Sequence, residues 1–421
     1  MPKQIVILLV LLARLAWGQY KLDDFLDKAI QNAPALKEYR NQQAINRIQQ
    51  KINSAENSAF HLALTGDYLF VPYFNNHGQL VTTDPSEQAI GYDINLGDGG
   101  LYAAQLTVEK NVFNRRIVRV LNDQTTIQDT LTAYLIDLEE HTLIKEVTEH
   151  YLDTRRSLLL LQLARETVDN LQEQLELTAT LAAKGFAKPQ DYLLLKVESQ
   201  NQLIQLNDAR QGYRSQVYQL YALCGMQDTS VVEIDSIALA MNAAPAHSSF
   251  LRKFALDSLA TANEQDLFET RYQPRANLFF NTGLNAVELH NIQRKFGMSA
   301  GVSLSVPLYD GRQKSLTRQQ NHLLRNSIAE YCRFSEMNVT LQRNILADRI
   351  RSLQNSLKIM DGQIEDYRQL LLLSEKQVQQ GAESMIDHLT LLRNFIDLRK
   401  IRIDTEISCQ IEMNNYNYWN W

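Results

Sequence analysis

The chain has 421 residues, enough for two or three domains, and its formal net charge of −6 excludes the basic footprint of a nucleic-acid binder. Its eight Pro and sixteen Gly cluster outside long stretches of helical apolar spacing, which predicts a mostly helical protein. Cys224, Cys332 and Cys409 are odd in number and far apart, unlike a secreted disulfide framework, and are expected as buried or unpaired thiols on helices.

Residues 1–18 read as a secretory signal: Lys3 opens it, an apolar run spans Ile5 to Ala13, and Ala16-Trp17-Gly18 forms a small-residue cleavage site before Gln19. No Cys follows it, which argues against a lipid-anchored lipoprotein. No later window holds about 18 consecutive apolar residues, so no inner-membrane helix is expected.

Residues 19–226 form the first of two predicted repeats. A helix runs over 21–57, with Leu22, Phe25, Leu26, Ala29 and Ile30 on one face and a break near Pro34. From Phe60 the apolar period falls from 3.6 to 2: Phe60, Leu62, Leu64, Tyr68 and Phe70 alternate with His61, Ala63, Thr65, Asp67 and Leu69, a largely polar face. Turn residues make Pro72–Gly100 a loop. A second strand, Tyr102 to Val108, completes a β-hairpin over 60–113.

Arg115 to Gly185 contains no Pro, and no Gly before Gly185. Leu161, Ala164, Val168, Leu171 and Leu175 step by three and four as in a coiled-coil seam. Roughly 70 helical residues would reach about 100 Å, far more than one globular core needs. Gly185 to Asp191 turn the chain, and apolar periodicity resumes at Tyr192, so 114–226 is predicted to be a long helical hairpin.

Residues 227–247 read as a crossover linker, with a short strand expected at Val231 to Ile234. The second repeat, 248–421, has a helix to residue 272 and a β-hairpin over 274–308. In that hairpin Gly283 to Lys295 is read as the loop, and Met298 to Val306 alternates most cleanly. A helical hairpin over 311–421 ends the chain.

The halves share one register. Adding 196 to a residue number carries Gly185 onto Gly381, Asp191 onto Asp387, Arg116 onto Arg312, Leu161 onto Leu357 and Leu175 onto Leu371, with no gap over about 80 residues. Leu coincidences are cheap, but Gly, Asp and Arg in one ungapped register indicate duplication.

Any one strand reads as part of a soluble sheet packed on helices. Four of them in two equivalent hairpins, in an exported chain, match the wall of a membrane barrel. Backbone groups in a bilayer must all be paired, and four strands cannot close, so the barrel would have to be shared between chains. Arg115, Arg116 and Arg119, with Arg312, Lys314 and Arg318, sit just past the second and fourth strands. There they are either snorkelling cations or solvated charges at helix starts.

These residues carry a resemblance. Leu22, Ala29, Asn32 and Pro34 at the start, Val306-Pro307-Leu308-Tyr309-Asp310-Gly311, and the Gly followed six residues later by Asp in each half resemble the TolC-type outer-membrane efflux protein family, over essentially the whole mature chain. The resemblance implies a homotrimer in the outer membrane, extending into the periplasm. Its fold would be mostly α with a small antiparallel β part: duplicated long helical hairpins forming an α-barrel, and four strands per chain contributed to a shared twelve-stranded β-barrel. It also implies a periplasmic adaptor and an inner-membrane pump as partners, and a passive gated conduit for small molecules, metal ions or proteins.

Residue-wise matching puts Asp191 and Asp387 at the family's periplasmic constriction. A helix-start Asp also serves simply as cap and dipole partner. Where some members have a gate-locking Arg, this chain has Glu383, so Lys188 pairing with Glu383 or an Asp is the expected substitute. Gly185 and Gly381 are read as αL caps, with adaptor docking at the turns implied by the resemblance. The eight His are scattered without metal-ligand spacing, and no nucleophile motif or phosphate loop occurs, so no enzyme activity, metal or cofactor is expected. The competing reading is a non-channel periplasmic coiled-coil adaptor or structural protein.

Overall fold

The computed structural model describes residues 21–69, 72–82, 90–91, 102–185, 188–286, 289–380 and 382–421. The expected signal segment, Phe70, Gly381 and most of the first hairpin loop lie outside them. Two compact units divide the chain: residues 1–40, 133–253 and 331–421 make one, and residues 41–132 and 254–330 the other.

Four long helices dominate, as the spacing predicts: α3 (Arg115–Ala183), α4 (Pro189–Leu223), α6 (Gln313–Gln379) and α7 (Met385–Trp419). They are preceded by α1 (Leu22–Asn32) and α2 (Pro34–Ser58), which break at Ala33, one residue before the expected Pro34, and by α5 (Arg252–Glu269) in the second half. Pro189 sits at the first position of α4, where its missing N–H costs no helical bond. At α7 the Ser384 hydroxyl accepts from Ile386 N at 3.2 Å. Gly212 and Gly362 lie within α4 and α6 with open space around them, so the helices run through both.

In the first unit the main core gathers around Phe25 of α1, whose ring lies 5.8 Å from Tyr151 of α3 and 6.1 Å from Tyr221 of α4. Gly225 ends α4 at φ +63°, and a Cβ there would sit 2.9 Å from Asn32 Cβ. The Asn32 amide donates to the carbonyls of Cys224 and Gly225, tying α1 to the end of α4. The linker is held from both sides. Tyr151 and Tyr213 donate their hydroxyls to the carbonyls of Asp235 and Val232, and Gln410 and Asn417 of α7, with Asn420 just past its end, bond the backbone of Leu239, Ala240 and Asn242. The strand expected at Val231 to Ile234 does not form; only Ile234 takes part in a bridge, because tyrosine and amide side chains take the place of a pairing strand.

The second unit holds the sheet. Strands β1 (His61–Tyr68), β4 (Tyr102–Asn111), β5 (Arg275–Ala286) and β6 (Phe296–Ser305) pair antiparallel in the order β1-β4-β5-β6. Two expectations are corrected here. The segment read as loop after Pro72 contains a second, two-stranded sheet, β2 (Tyr73–Asn76) and β3 (Gln79–Thr82), turned by Asn75, His77 and Gly78 at positive φ. Strand β5 also runs through Gly283 to Ala286, and a 3₁₀ turn at Leu289–Arg294 replaces much of the expected loop.

Register sorts the cross-strand rows by face. Leu62, Val108, Phe280 and Ala300 lie side by side, as do Leu64, Leu106, Thr282 and Met298. The opposite face carries Thr65, Gln105 and Gly283, and Ala63, Thr107, Asn281 and Ser299. The sheet is therefore apolar on one side and small or polar on the other. Among the described residues no helix is long and apolar enough to cross a membrane.

Candidate functional site

Two regions carry the chemistry expected of the chain: the helical turns in the first unit and the sheet in the second.

At the turns, Gly185 takes φ +79° and follows α3, with nothing within 4 Å of a Cβ placed on it. Its capping role is therefore conformational. Its expected counterpart Gly381 lies outside the described residues. Asp191 and Asp387 occupy the third helical position of α4 and α7, and their backbone N–H groups donate to the carbonyls of Lys188 and Ser384. A carboxylate there complements the positive end of each helix.

Four segments enclose a cavity of about 200 Å³ between the turns. Leu177, Leu181, Leu195, Val378 and Met385 give it apolar walls, and Lys188, Asp191, Glu375, Glu383 and His388 supply charge or protons. Three of the residues expected at a constriction, Lys188, Asp191 and Glu383, are thus brought to one place; Asp387 is exposed and not part of the lining. No ion pair within the chain joins Lys188 to Glu383 or to an Asp among the described residues, and Glu383 Oε2 is buried without a hydrogen-bond partner.

His388 is the member that sequence reading passed over. It is buried, with Nδ1 3.0 Å from the Ser374 hydroxyl. Burial holds its pKa below the ordinary 6.5, against an upward pull from Glu375 and Glu383.

A second missed feature is the set of cations on α7. Arg393 reaches the buried Glu198 of α4 from Nη2 at 2.5 Å and Nε at 3.1 Å, and Gln202 donates to the other Glu198 oxygen at 3.0 Å. Arg399 holds Glu166 of α3 through two bonds of 2.9 and 3.0 Å, and Arg402 reaches Asp361 of α6 at 2.6 Å. Within this unit α7 is thus ion-paired to each of the other three long helices. In the 196-residue register these arginines fall on Val197, Leu203 and Leu206 of the first half, and that mismatch was the available signal.

The sheet offers different chemistry. Its apolar face is bare in the single chain: Leu64 is 80% exposed and Met298 74%. Aromatic residues mark both ends, with Tyr68 and Tyr102 5.3 Å apart at one, and Phe60, Phe113 and Tyr309 beside the other. Strands β1 and β6 each pair on one side only, so both outer edges present unpaired backbone groups. No group of three His, Cys, Asp or Glu suited to a metal occurs among the described residues.

No protein-family model and no curated protein sequence matches the chain. Solved structures do. The outer membrane protein VceC from Vibrio cholerae is 13% identical, with 95% of this chain and 96% of that chain covered at a TM-score of 0.69. CusC, solved for the conformational changes accompanying folding and transmembrane channel formation, is 12% identical, with 96% and 92% covered at 0.72. The Campylobacter jejuni CmeC outer membrane channel is 10% identical, with 95% and 85% covered at 0.71. At these identities the likeness concerns fold, and it spans almost the whole of each chain. The chain has the fold of these three proteins, mostly helical with a small antiparallel sheet, as the TolC-type resemblance implies.

Proposed function

We propose that this protein is the outer-membrane component of an export system, a passive gated conduit from the periplasm across the outer membrane for small molecules, metal ions or proteins. The observation that carries this reading is the four-stranded sheet, with a bare apolar face, a polar face and two open edges. A soluble sheet would bury that apolar face. In a bilayer the same face meets lipid and the open edges must pair.

Three copies supply twelve strands. Neighbouring strands alternate in direction from β1 to β6, so β6 of one copy and β1 of the next run antiparallel, and the ring closes without a change of pattern. The long helical hairpins then line the periplasmic part of the conduit. The reading takes 1–18 as an export signal and 19–226 and 248–421 as duplicated repeats joined by 227–247. A periplasmic adaptor docks near the turns at Gly185 and Gly381, and an inner-membrane pump supplies the energy. The protein itself performs no chemistry.

The gate is assigned to the turn cavity. Asp191, Glu383 and Lys188 from each copy, with Asp387 beside them, form a charged constriction whose state depends on how they pair.

The test is single-channel conductance of the detergent-extracted protein in a planar bilayer, with oligomer mass measured on the same preparation. Stable pores from a trimer are expected. A water-soluble monomer or dimer without conductance would overturn the reading.

A further inference from the structure

The junction between β6 and α6 does more than connect them. Apolar side chains step by two out of the strand, Val302, Leu304, Val306 and Leu308, and all are exposed, Leu308 by 94%. Tyr309, 86% exposed, follows. This ridge ends at a cavity of about 380 Å³ whose lining includes Tyr272, Leu308, Asp310, Arg312, Lys314 and Arg318.

The anions nearby are already engaged. Asp310 accepts from the backbone N of Arg312 at 2.9 Å and of Lys314 at 2.8 Å, capping α6. Glu269 takes Arg318 at 2.7 Å and lies 3.9 Å from Lys314, whose ammonium also sits 5.3 Å from the Tyr272 ring centroid. The Arg312 guanidinium is exposed and has no side-chain partner among the described residues. Its backbone is at φ +70°, directly after Gly311 at φ +63°. A residue with a side chain is disfavoured in that conformation, and such strain collects at ligand clamps.

The first half lacks this arrangement. There Val118 and Asn122 stand where Lys314 and Arg318 do. Arg116, the counterpart of Arg312, is already occupied: with the Gln273 amide oxygen turned toward it, Nε and Nη1 donate at 2.8 and 3.1 Å.

The geometry points to a binding site for one anionic phospholipid per chain, its phosphate held by Arg312 with Lys314 and Arg318 and an acyl chain lying along Val302 to Leu308. An apolar ridge leading to a cationic pocket matches an amphiphile with a phosphate head. The lipid source is chosen over free phosphate because the ridge is continuous with the apolar face of β6. The inference rests on the proposed membrane position of that face.

The test uses full-length, detergent-extracted protein incubated with phosphatidylglycerol or phosphatidylcholine, with retained lipid counted by native mass spectrometry and pore conductance recorded on the same preparation. The variants are Arg312→Gly and Arg325→Ala. Glycine relieves the positive φ, so Arg312→Gly folds at least as well as the natural chain. Arg325→Ala removes a cation about two turns beyond Arg318 on α6 and serves as control. Selective retention of phosphatidylglycerol is expected, reduced about tenfold in Arg312→Gly, unchanged in Arg325→Ala and unaffected by millimolar inorganic phosphate. Equal retention by Arg312→Gly, or equal retention of phosphatidylcholine, overturns the site, and competition by inorganic phosphate overturns the lipid source. Pores without lipid selectivity sink the lipid site alone. Absence of pores sinks the membrane reading and the site with it.

Discussion

Gly283 on β5 and Gly297 on β6 face each other in register, yet only one of them is sterically required to be glycine. A Cβ on Gly283, at φ +153°, would lie 2.2 Å from the Ala104 carbonyl oxygen and 2.7 Å from Gln105 Cα; one on Gly297 would meet nothing within 4 Å. The first contact is with the backbone of β4, which cannot yield without parting the two strands. Gly283→Ala should therefore cost about 2–3 kcal/mol, while Gly297→Ala stays within about 0.5 kcal/mol. Thermal denaturation of both variants in detergent checks the contrast, and equal losses would remove the steric explanation.

Glu198 yields a prediction at acid pH. Burial pushes its pKa up, but bonds from Arg393 and Gln202 outweigh that and hold it below the ordinary 4.5. A depressed carboxylate adds stability above its unfolded pKa and loses it as pH falls through the lower folded value. Glu198→Gln should flatten stability over that acidic window. Arg393→Ala, which strands the buried carboxylate, should cost about 2 kcal/mol at neutral pH. Denaturant midpoints between pH 3 and 7 would show both effects.

His388 acts in a separate window. Its pKa is lowered by burial, so the unfolded chain takes up the proton first, and stability declines as pH falls from about 6.5 toward the lower folded value. His141, half-buried between the rings of Tyr418 and Trp421 at 4.9 and 4.8 Å, is lowered for the same reason and adds to the slope. Melting temperatures at pH 7.5 and 5.5 should differ less in His388→Gln than in the natural protein. An unchanged difference would assign the effect to His141 alone.

At the turns, Lys188 is the single Lys or Arg among the described residues that line a cavity with Asp191, Glu375 and Glu383. If the proposed gate is correct, Lys188→Glu adds like charge to an acidic site and should disfavour its closed state by about 1 kcal/mol, a roughly fivefold rise in open probability. Bilayer recordings and antibiotic sensitivity measure it. No change in either would remove Lys188 from the gate.

The long helices and the strand faces were legible because burial and exposure repeat, at 3.6 residues in one and 2 in the other. The ends of strands were less so. Gly283 read as a strand breaker, although it is the residue that lets β5 approach β4. The β2–β3 hairpin was hidden because Asn75, His77 and Gly78 carry turn chemistry whether or not strands flank them. At the turn cavity, Lys188, Asp191 and Glu383 were singled out by residue-wise matching to the TolC-type resemblance, and the structure brings them to one lining. His388, Arg393 and Arg399 were not, since their partners lie 14, 195 and 233 residues away and pairings at such distance leave no periodic trace.

The two bare edges of the sheet also govern the life of the chain before assembly. A strand edge is a template, and β1 and β6 are templates for each other. Under the proposed shared barrel, a newly made copy carries complementary adhesive borders, which lead to an orderly ring only if its neighbours arrive aligned. Slow arrival exposes the borders to any other extended segment, and crowded arrival favours open-ended stacking over closure. Yield of the proposed assembly should thus peak at an intermediate rate of synthesis.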